Sequence, residues 1–443
     1  MSPPTLSRLA VVACLAAAPV SALAAPEPAE VRSFEDVVAM ASEQAAVQHQ
    51  PPTRAPQELL DLDYDGYRKI AVRHENAMWR DEDRKTWAEF YPAGSIFEYP
   101  VDVYVVDEDK TRRVEYGPQW FQFRGETERL ADSEGGLAGM RLLTRLPGNE
   151  HKTEFVSFLG ASYYRAIGTG QWYGTSARGL AVDIGLGTPE EFPRFTKYWI
   201  QPPTSDSEDP EVVWALMDSP AVSGAYEFRV SPGEATEVFV TAHVWMRHGV
   251  QKLAVAPLTS MFMWDADHQP EGDHRPEVHD ADALVIHGAT PEGETWVWRD
   301  LERPDRPKVS SWPLENLYGF GLVQSERDPA KYNDNEAHYH ERPNVWVDVG
   351  ARWPWGPGRV ELLELDAKHE GMDNIGAYYV FDTDRVDFKE AFTLNYRVVF
   401  SKQAPEDTAT ERVAQVEPES YLGKLRVNRR IAAGMPGSSS SAP

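Results

Sequence analysis

From Glu237 to Met246 apolar side chains fall on every second residue, so that Val238, Val240, Ala242, Val244 and Met246 share one face. Only an extended strand lying with one side on a core uses that spacing. The habit recurs in Val101 to Val106, Phe121 to Phe123, Tyr226 to Val230, Trp296 to Trp298, Val360 to Leu365 and Phe392 to Phe400. Pro- and Gly-bearing turns separate these runs, which predicts large antiparallel sheets rather than βαβ units. No 20–50-residue repeat is present, so neither a solenoid nor a propeller is expected. Helix is confined to short pieces. Ser33 and Asp36 have capping-box spacing, and Val37, Val38, Met40 and Ala41 follow. His49 to Pro56 reads as a polar, Pro-rich connector, and Asp61 to Trp79 as helical and then irregular. Pro193 limits any helix within Glu190 to Trp199 to a short surface piece.

The chain has 443 residues, enough for two or three ordinary domains or one very large one. With 70 acidic against 44 basic residues its formal charge is −26. That balance repels nucleic acid and anionic membrane surfaces, and leaves neutral ligands as the easier partners. Residues 1–24 read as a cleaved export signal: Arg8 precedes an apolar run from Leu9 to Val20, and Ala22-Leu23-Ala24 supplies small residues for cleavage. Cys14 is the single cysteine and lies inside this signal. The mature chain would therefore carry no thiol, which excludes disulfides, Cys-ligated zinc and cysteine nucleophiles. A periplasmic location fits best. Residues 25–56 are expected to hold a helix and linker, 57–405 the β-domain, and 406–443 a disordered or poorly structured tail, polar and ending in serines.

Asp265, Asp267, His268, Asp273, His274, His279 and Asp280 gather metal-capable groups, but their spacing matches no common signature and Pro270 and Gly272 mark a solvated loop. His338 and His340 sit in another loop. No metal or cofactor is expected. Gly168, Gly170 and Gly174 lack a βαβ context and read as turns, and Gly174 to Gly179 is not a nucleophile elbow. What remains is carboxylates beside aromatics. Ten aromatic residues lie between Ser311 and Val380: Trp312, Tyr318, Phe320, Tyr332, Tyr339, Trp346, Trp353, Trp355, Tyr378 and Tyr379. Sugar C–H faces stack on such rings while Asp, Arg and Asn bind hydroxyls; about half are expected in the core. Inverting glycosidic cleavage needs two acids, one protonated and one ionised.

Several long blocks resemble one family. Phe158 to Gly168, Tyr173 to Asp183, Glu190 to Phe195, Leu253 to Phe262, Arg275-Pro-Glu-Val-His-Asp280, Tyr318-Gly-Phe-Gly-Leu322 and Asp373-Asn-Ile375 are similar to the osmoregulated periplasmic glucan biosynthesis proteins G and D. The similarity runs from about Phe34 to Ser401. It implies an all-β fold, a large galactose-mutarotase-like β-sandwich with short helices. The C-terminal immunoglobulin-like domain usual in the family is expected to be absent. It further implies action on the β-1,2-glucan backbone as an inverting glycoside hydrolase, with Asp373 as general acid and Asp280 as general base. Asp334, Tyr339 and Arg342 fall where the family lines its cleft and water path, as substrate-binding or proton-relay groups. Transglycosylation, or glucan binding without turnover, are the alternatives. The implied partners are β-1,2-glucan and, as a further candidate, the inner-membrane glucan synthesis machinery; oligomeric state is left open. Ser325, Glu326, Pro329, Glu341 and Asn344 depart from the family's usual residues and are expected to alter the loop over the cleft.

Overall fold

The computed structural model describes residues 26–82, 84–108, 110–203, 209–350, 355–381, 391–405 and 419–420. The expected signal, residues 1–24, lies outside them, as do Trp353 and all of 406–443 except Glu419–Ser420.

The chain is an all-β sandwich. Among the described residues two eleven-stranded sheets enclose one continuous core. The first runs in the order Thr86–Pro92, Leu137–Thr144, Thr153–Leu159, Tyr163–Ala166, Ser176–Arg178, Leu253–Ser260, Ile375–Phe381, Gly358–Glu364, Lys308–Leu314 and Glu419–Ser420, with Leu180–Val182 also paired to Leu253–Ser260. The second runs Gly293–Asp300, Ala283–Thr290, Asn316–Val323, Asn344–Asp348, Phe392–Ser401, Thr236–Met246, Val222–Ser231, Glu211–Asp218, Arg194–Ile200, Asp102–Val106 and Thr111–Arg113. Pairing among the described residues is antiparallel except between Arg194–Ile200 and Asp102–Val106.

The alternation read from the sequence is the burial pattern of the strand. Val238, Val240, Ala242, Val244 and Met246 are all buried in the inter-sheet core, and Leu394, Tyr396, Val398 and Phe400 of the neighbouring strand join them. Phe158, Tyr164, Phe195, Tyr226 and Phe228 add a nest of edge-on and stacked rings, which gives the core its interlocking shape.

The predicted helix forms over Phe34–Ala45 with the capping box intact: Asp36 N–H donates to the Ser33 hydroxyl at 3.4 Å, and Ser33 N–H to the Asp36 carboxylate at 2.9 Å. Val37 and Ala41 bury against Trp199, Trp214, Leu216 and Ala225 on the outer face of the second sheet. By its sequence Glu190 to Trp199 admits at most a short helix. It holds no helix; Arg194–Ile200 is a strand, and Pro193 stands just before it, where a missing N–H breaks no ladder bond. Phe195 and Tyr198 then face the main core while Trp199 faces the helix.

Candidate functional site

Asp373 and Asp280 are far apart in sequence but hang from one short segment, Ser260 to Phe262. Asp373 directly precedes Asn374, whose N–H donates to the Ser260 carbonyl at 3.0 Å. The Asn374 side chain clamps the same segment: its Oδ1 accepts from Phe262 N–H at 2.8 Å, and its Nδ2 donates to the Phe262 and Leu365 carbonyls at 2.9 Å each. Asp280 follows the two-residue strand Val278–His279, which pairs with Phe262–Trp264, and its N–H donates to the Met261 carbonyl at 2.8 Å. Behind it, His279 is fully buried, held by Gln324 at 2.7 Å and Glu277 at 3.0 Å and stacked on Phe262. The two carboxyls are thus referenced to adjacent backbone atoms.

Their environments differ. Asp280 is only 5% exposed. Burial pushes its carboxyl up to about 6, against the pull of Arg342, and the charge of Asp373 adds to the rise. Arg342 Nη1 donates to Asp280 Oδ1. The guanidinium is itself fixed, with Nη2 donating to the Ala337 carbonyl at 2.8 Å and the Tyr339 ring 4.5 Å from its centre. Gly174 leaves room for this arm, since a Cβ there would meet Arg342 carbons at 3.0 Å. Asp373 is open to solvent on its cleft side. The surrounding wall still removes enough hydration to raise its carboxyl, while Arg165 and Arg342 pull it back. One carboxyl is therefore accessible and the other enclosed, and the two are coupled through charge.

Asp373 lines a cleft of about 610 Å³ on the outer face of the first sheet, together with Tyr99, Glu154, Tyr163, Arg165, Tyr173 and Arg194. Arg165 Nε donates to the Ser176 hydroxyl at 2.6 Å. Tyr91 and Arg141 both donate to Glu154, at 3.0 and 2.7 Å, and the Arg194 guanidinium lies 4.4 Å over Tyr99. Sequence reasoning gave none of these residues a role. The signal was present, because Tyr163, Arg165, Tyr173 and Arg194 fall inside the quoted blocks, but only the fold brings them to one cleft: Tyr163 and Arg165 on a strand of the first sheet, Arg194 on a strand of the second and Tyr173 outside any strand.

Tyr339 is buried against Tyr332 and beneath Arg342, and burial raises its phenol well above the usual range. Asp334 is occupied differently. Its Oδ1 accepts from the amides of Glu336 and Ala337 at 2.9 Å each, and its Oδ2 from Arg275 at 3.4 Å. Burial would raise this carboxyl, but the two amides and Arg275 outweigh it and hold it low. Arg275 also binds Asp273 and Glu370, so it ties the Asp334 loop to the turn that carries Asp373.

Two of the five residues that depart from the family pattern, Ser325 and Asn344, are fasteners. Asp282 Oδ2 accepts from the Ser325 hydroxyl at 2.6 Å and amide at 2.8 Å, and Asn344 Oδ1 accepts from Gln324 N–H at 2.8 Å and Arg327 at 3.0 Å. Among the described residues no three His, Cys, Asp or Glu side chains gather as a metal site. Asp265 instead accepts from its own loop and meets His268 at 2.6 Å. The aromatic reading needs correcting in proportion: Trp312, Phe320, Tyr332, Tyr339, Trp355, Tyr378 and Tyr379 are all buried, leaving Tyr318 and Trp346 part-exposed. Trp312, Phe320 and Tyr379 go into the inter-sheet core with Trp355, Tyr378 packs with Ala254 and Val380 in a smaller apolar cluster, and Tyr332 and Tyr339 pack with Met261, Met263 and Trp264.

With this geometry in place, comparison with known proteins gives one consistent result. Residues 33–430 match the model of the periplasmic glucan biosynthesis protein family, MdoG. The chain is also 38% identical over 400 residues to glucans biosynthesis protein G of Ralstonia nicotianae, an alignment covering 89% of this chain and 77% of that relative.

Proposed function

The chain belongs to the periplasmic glucan biosynthesis protein (MdoG) family, and from that premise we propose that it cleaves the β-1,2-glucan backbone as an inverting glycoside hydrolase in the periplasm, after export by the signal in residues 1–24. The observation that carries the reading is the pair of unlike carboxyls, Asp373 at the open cleft and Asp280 buried behind Arg342, both displaced upward and both referenced to Ser260 to Phe262. Protonated Asp373 delivers its proton to the glycosidic oxygen as the C1–O bond breaks. Water attacks C1 from the opposite face and gives up its proton toward ionised Asp280. Arg342 holds Asp280 in its ionised form and orients it. Tyr339, whose phenol keeps its proton at neutral pH and whose ring packs on Arg342, would relay a proton between water and Asp280. Asp334 serves by holding the Ala337 loop that grips Arg342.

The deciding experiment incubates the protein with linear β-1,2-glucan and follows the first product by proton NMR. Inversion at a β-linkage releases the α-anomer first; release of the β-anomer sinks the mechanism, and no new reducing ends sinks hydrolysis. The near-closure of Asp280 to solvent favours one second reading, transglycosylation, in which a glucan hydroxyl replaces water. Rearranged chains without added reducing ends would select it.

The base also sets a pH dependence. Activity should fall below about pH 6 as Asp280 takes up a proton. Stability runs the other way. A folded-state value raised from 3.8 to about 6 means the folded chain holds this proton more tightly than the unfolded one. The contribution is fully present below the unfolded value and lost as pH rises through about 6, roughly 3 kcal/mol in all. Denaturation of wild type and Asp280→Asn at pH 4 and 7 measures it as the pH-dependent difference between the two.

A further inference from the structure

A flat aromatic surface lies on the outer face of the second sheet, away from the Asp373 cleft on the first. His287 and Trp296 are cross-strand partners, stacked at 4.0 Å and 9°. Trp346, two strands from His287, is parallel to Trp296 within 19° at 6.0 Å. The cause of the flatness is in the strand between. A Cβ at Gly319 would come within 2.4 Å of the Trp346 ring, and one at Gly321 within 2.8 Å. With glycine at both positions the Trp346 indole lies close against the backbone of that strand and remains part-exposed. Tyr318 closes the end, edge-on to His287 at 4.9 Å.

These rings floor a groove of about 770 Å³ with a polar rim. Arg397 bridges Asp348 at 2.5 Å and Glu237 at 3.1 Å, and Glu294 accepts from or is met by His287 at 2.6 Å. Glu237, Glu294 and Asp348 set carboxylates along the groove, where hydroxyl donors would meet them, and the chain's charge of −26 argues against an anionic occupant. Parallel, part-exposed rings lining a groove with Asp, Glu and Arg around it suit a ligand that is apolar on its flat side and hydroxylated at its edge. That is the description of a pyranose chain.

We infer that the Trp296–Trp346 platform is a second carbohydrate-binding site, which holds a stretch of neutral glucan on the side of the sandwich opposite the cleft. The choice of glucan as the sugar rests on the function proposed above; the site itself does not depend on catalysis. Such a platform retains a long chain between events at the cleft and raises its local concentration there.

The test uses the full chain and a linear β-1,2-glucan oligosaccharide. Hydroxyl-radical footprinting read by mass spectrometry should show Trp296 and Trp346 oxidised in the free protein and protected several-fold by the sugar. Rings already shielded without sugar, or unprotected at saturating sugar, overturn the inference. Calorimetric stoichiometry should then fall by one site, or that site weaken at least about ten-fold, in Trp346→Ala. An unchanged stoichiometry and affinity in Trp346→Ala would also overturn it. Footprinting needs no substitution, so it decides the matter even where Trp346→Ala folds poorly. Protection at Tyr99 and Tyr163 reports the cleft separately, which keeps a failure of the catalytic reading distinct from a failure of this one.

Discussion

Replacing Asp373 with asparagine is expected to lower the release of reducing ends from β-1,2-glucan by about 10³-fold while leaving glucan binding within a few-fold of wild type. Asparagine keeps the size and most of the hydrogen bonding of the carboxyl but has no proton to give the leaving oxygen. The loss should appear in kcat rather than KM. Folding should not suffer, because the Asp373 carboxyl is exposed to the cleft and the turn is held by Asn374 rather than by Asp373 itself. Reducing-end assays beside a thermal melt check both halves. More than a tenth of wild-type turnover in a fully folded Asp373→Asn protein would remove Asp373 from the chemistry.

The second large effect belongs to its neighbour. Asn374→Ala is expected to destabilise the fold by about 4 kcal/mol, because it strands three buried backbone groups at once. Asn374 is 2% exposed, and its side chain satisfies Phe262 N–H, Phe262 C=O and Leu365 C=O. No water replaces those bonds cheaply in so enclosed a place. Activity should drop further than stability explains, since Asn374 references the acid to the segment that also positions the base. At a temperature where the variant is fully folded, kcat should still be down about ten-fold or more, as expected for a small misplacement of a reacting group. Urea denaturation gives the first number and kinetics on folded protein the second. A variant of wild-type stability would show that the clamp carries no load, and wild-type kcat in the folded variant would separate it from catalysis.

Much of the fold was legible because strands advertise themselves. In Thr236–Met246 every apolar position named from the period-two pattern is buried, and Ser33 caps the helix that its spacing predicts. Pro193 told less, because proline forbids a helix interior without saying what replaces it, and the strand that starts one residue later is only one of the compatible outcomes. Composition misled in degree: Tyr378 and Tyr379 look like sugar-stacking rings in the sequence, yet both faces of their strand are covered.

The candidate site was legible only by resemblance. Asp373 is one of 70 acidic residues, and nothing local distinguishes it from a turn-capping aspartate. Asn374 beside it is in the same motif and drew no attention, although it makes the three bonds that hold the turn. Tyr163, Arg165 and Arg194 were inside matching blocks for the same reason, with no chemistry attached.

By itself the sequence determined the strand periodicity, the helix cap, the acidic balance and the motifs that carry the two candidate acids, because those depend on neighbours within a few residues. Only the tertiary structure decided what surrounds each carboxyl. Burial of Asp280, its pairing with Arg342 from 62 positions away, and its coupling to Asp373 across the Ser260–Phe262 segment all arise from sheet register. A carboxyl's proton affinity is set by the charges and water around it, and in this chain those come from strands that meet only after folding.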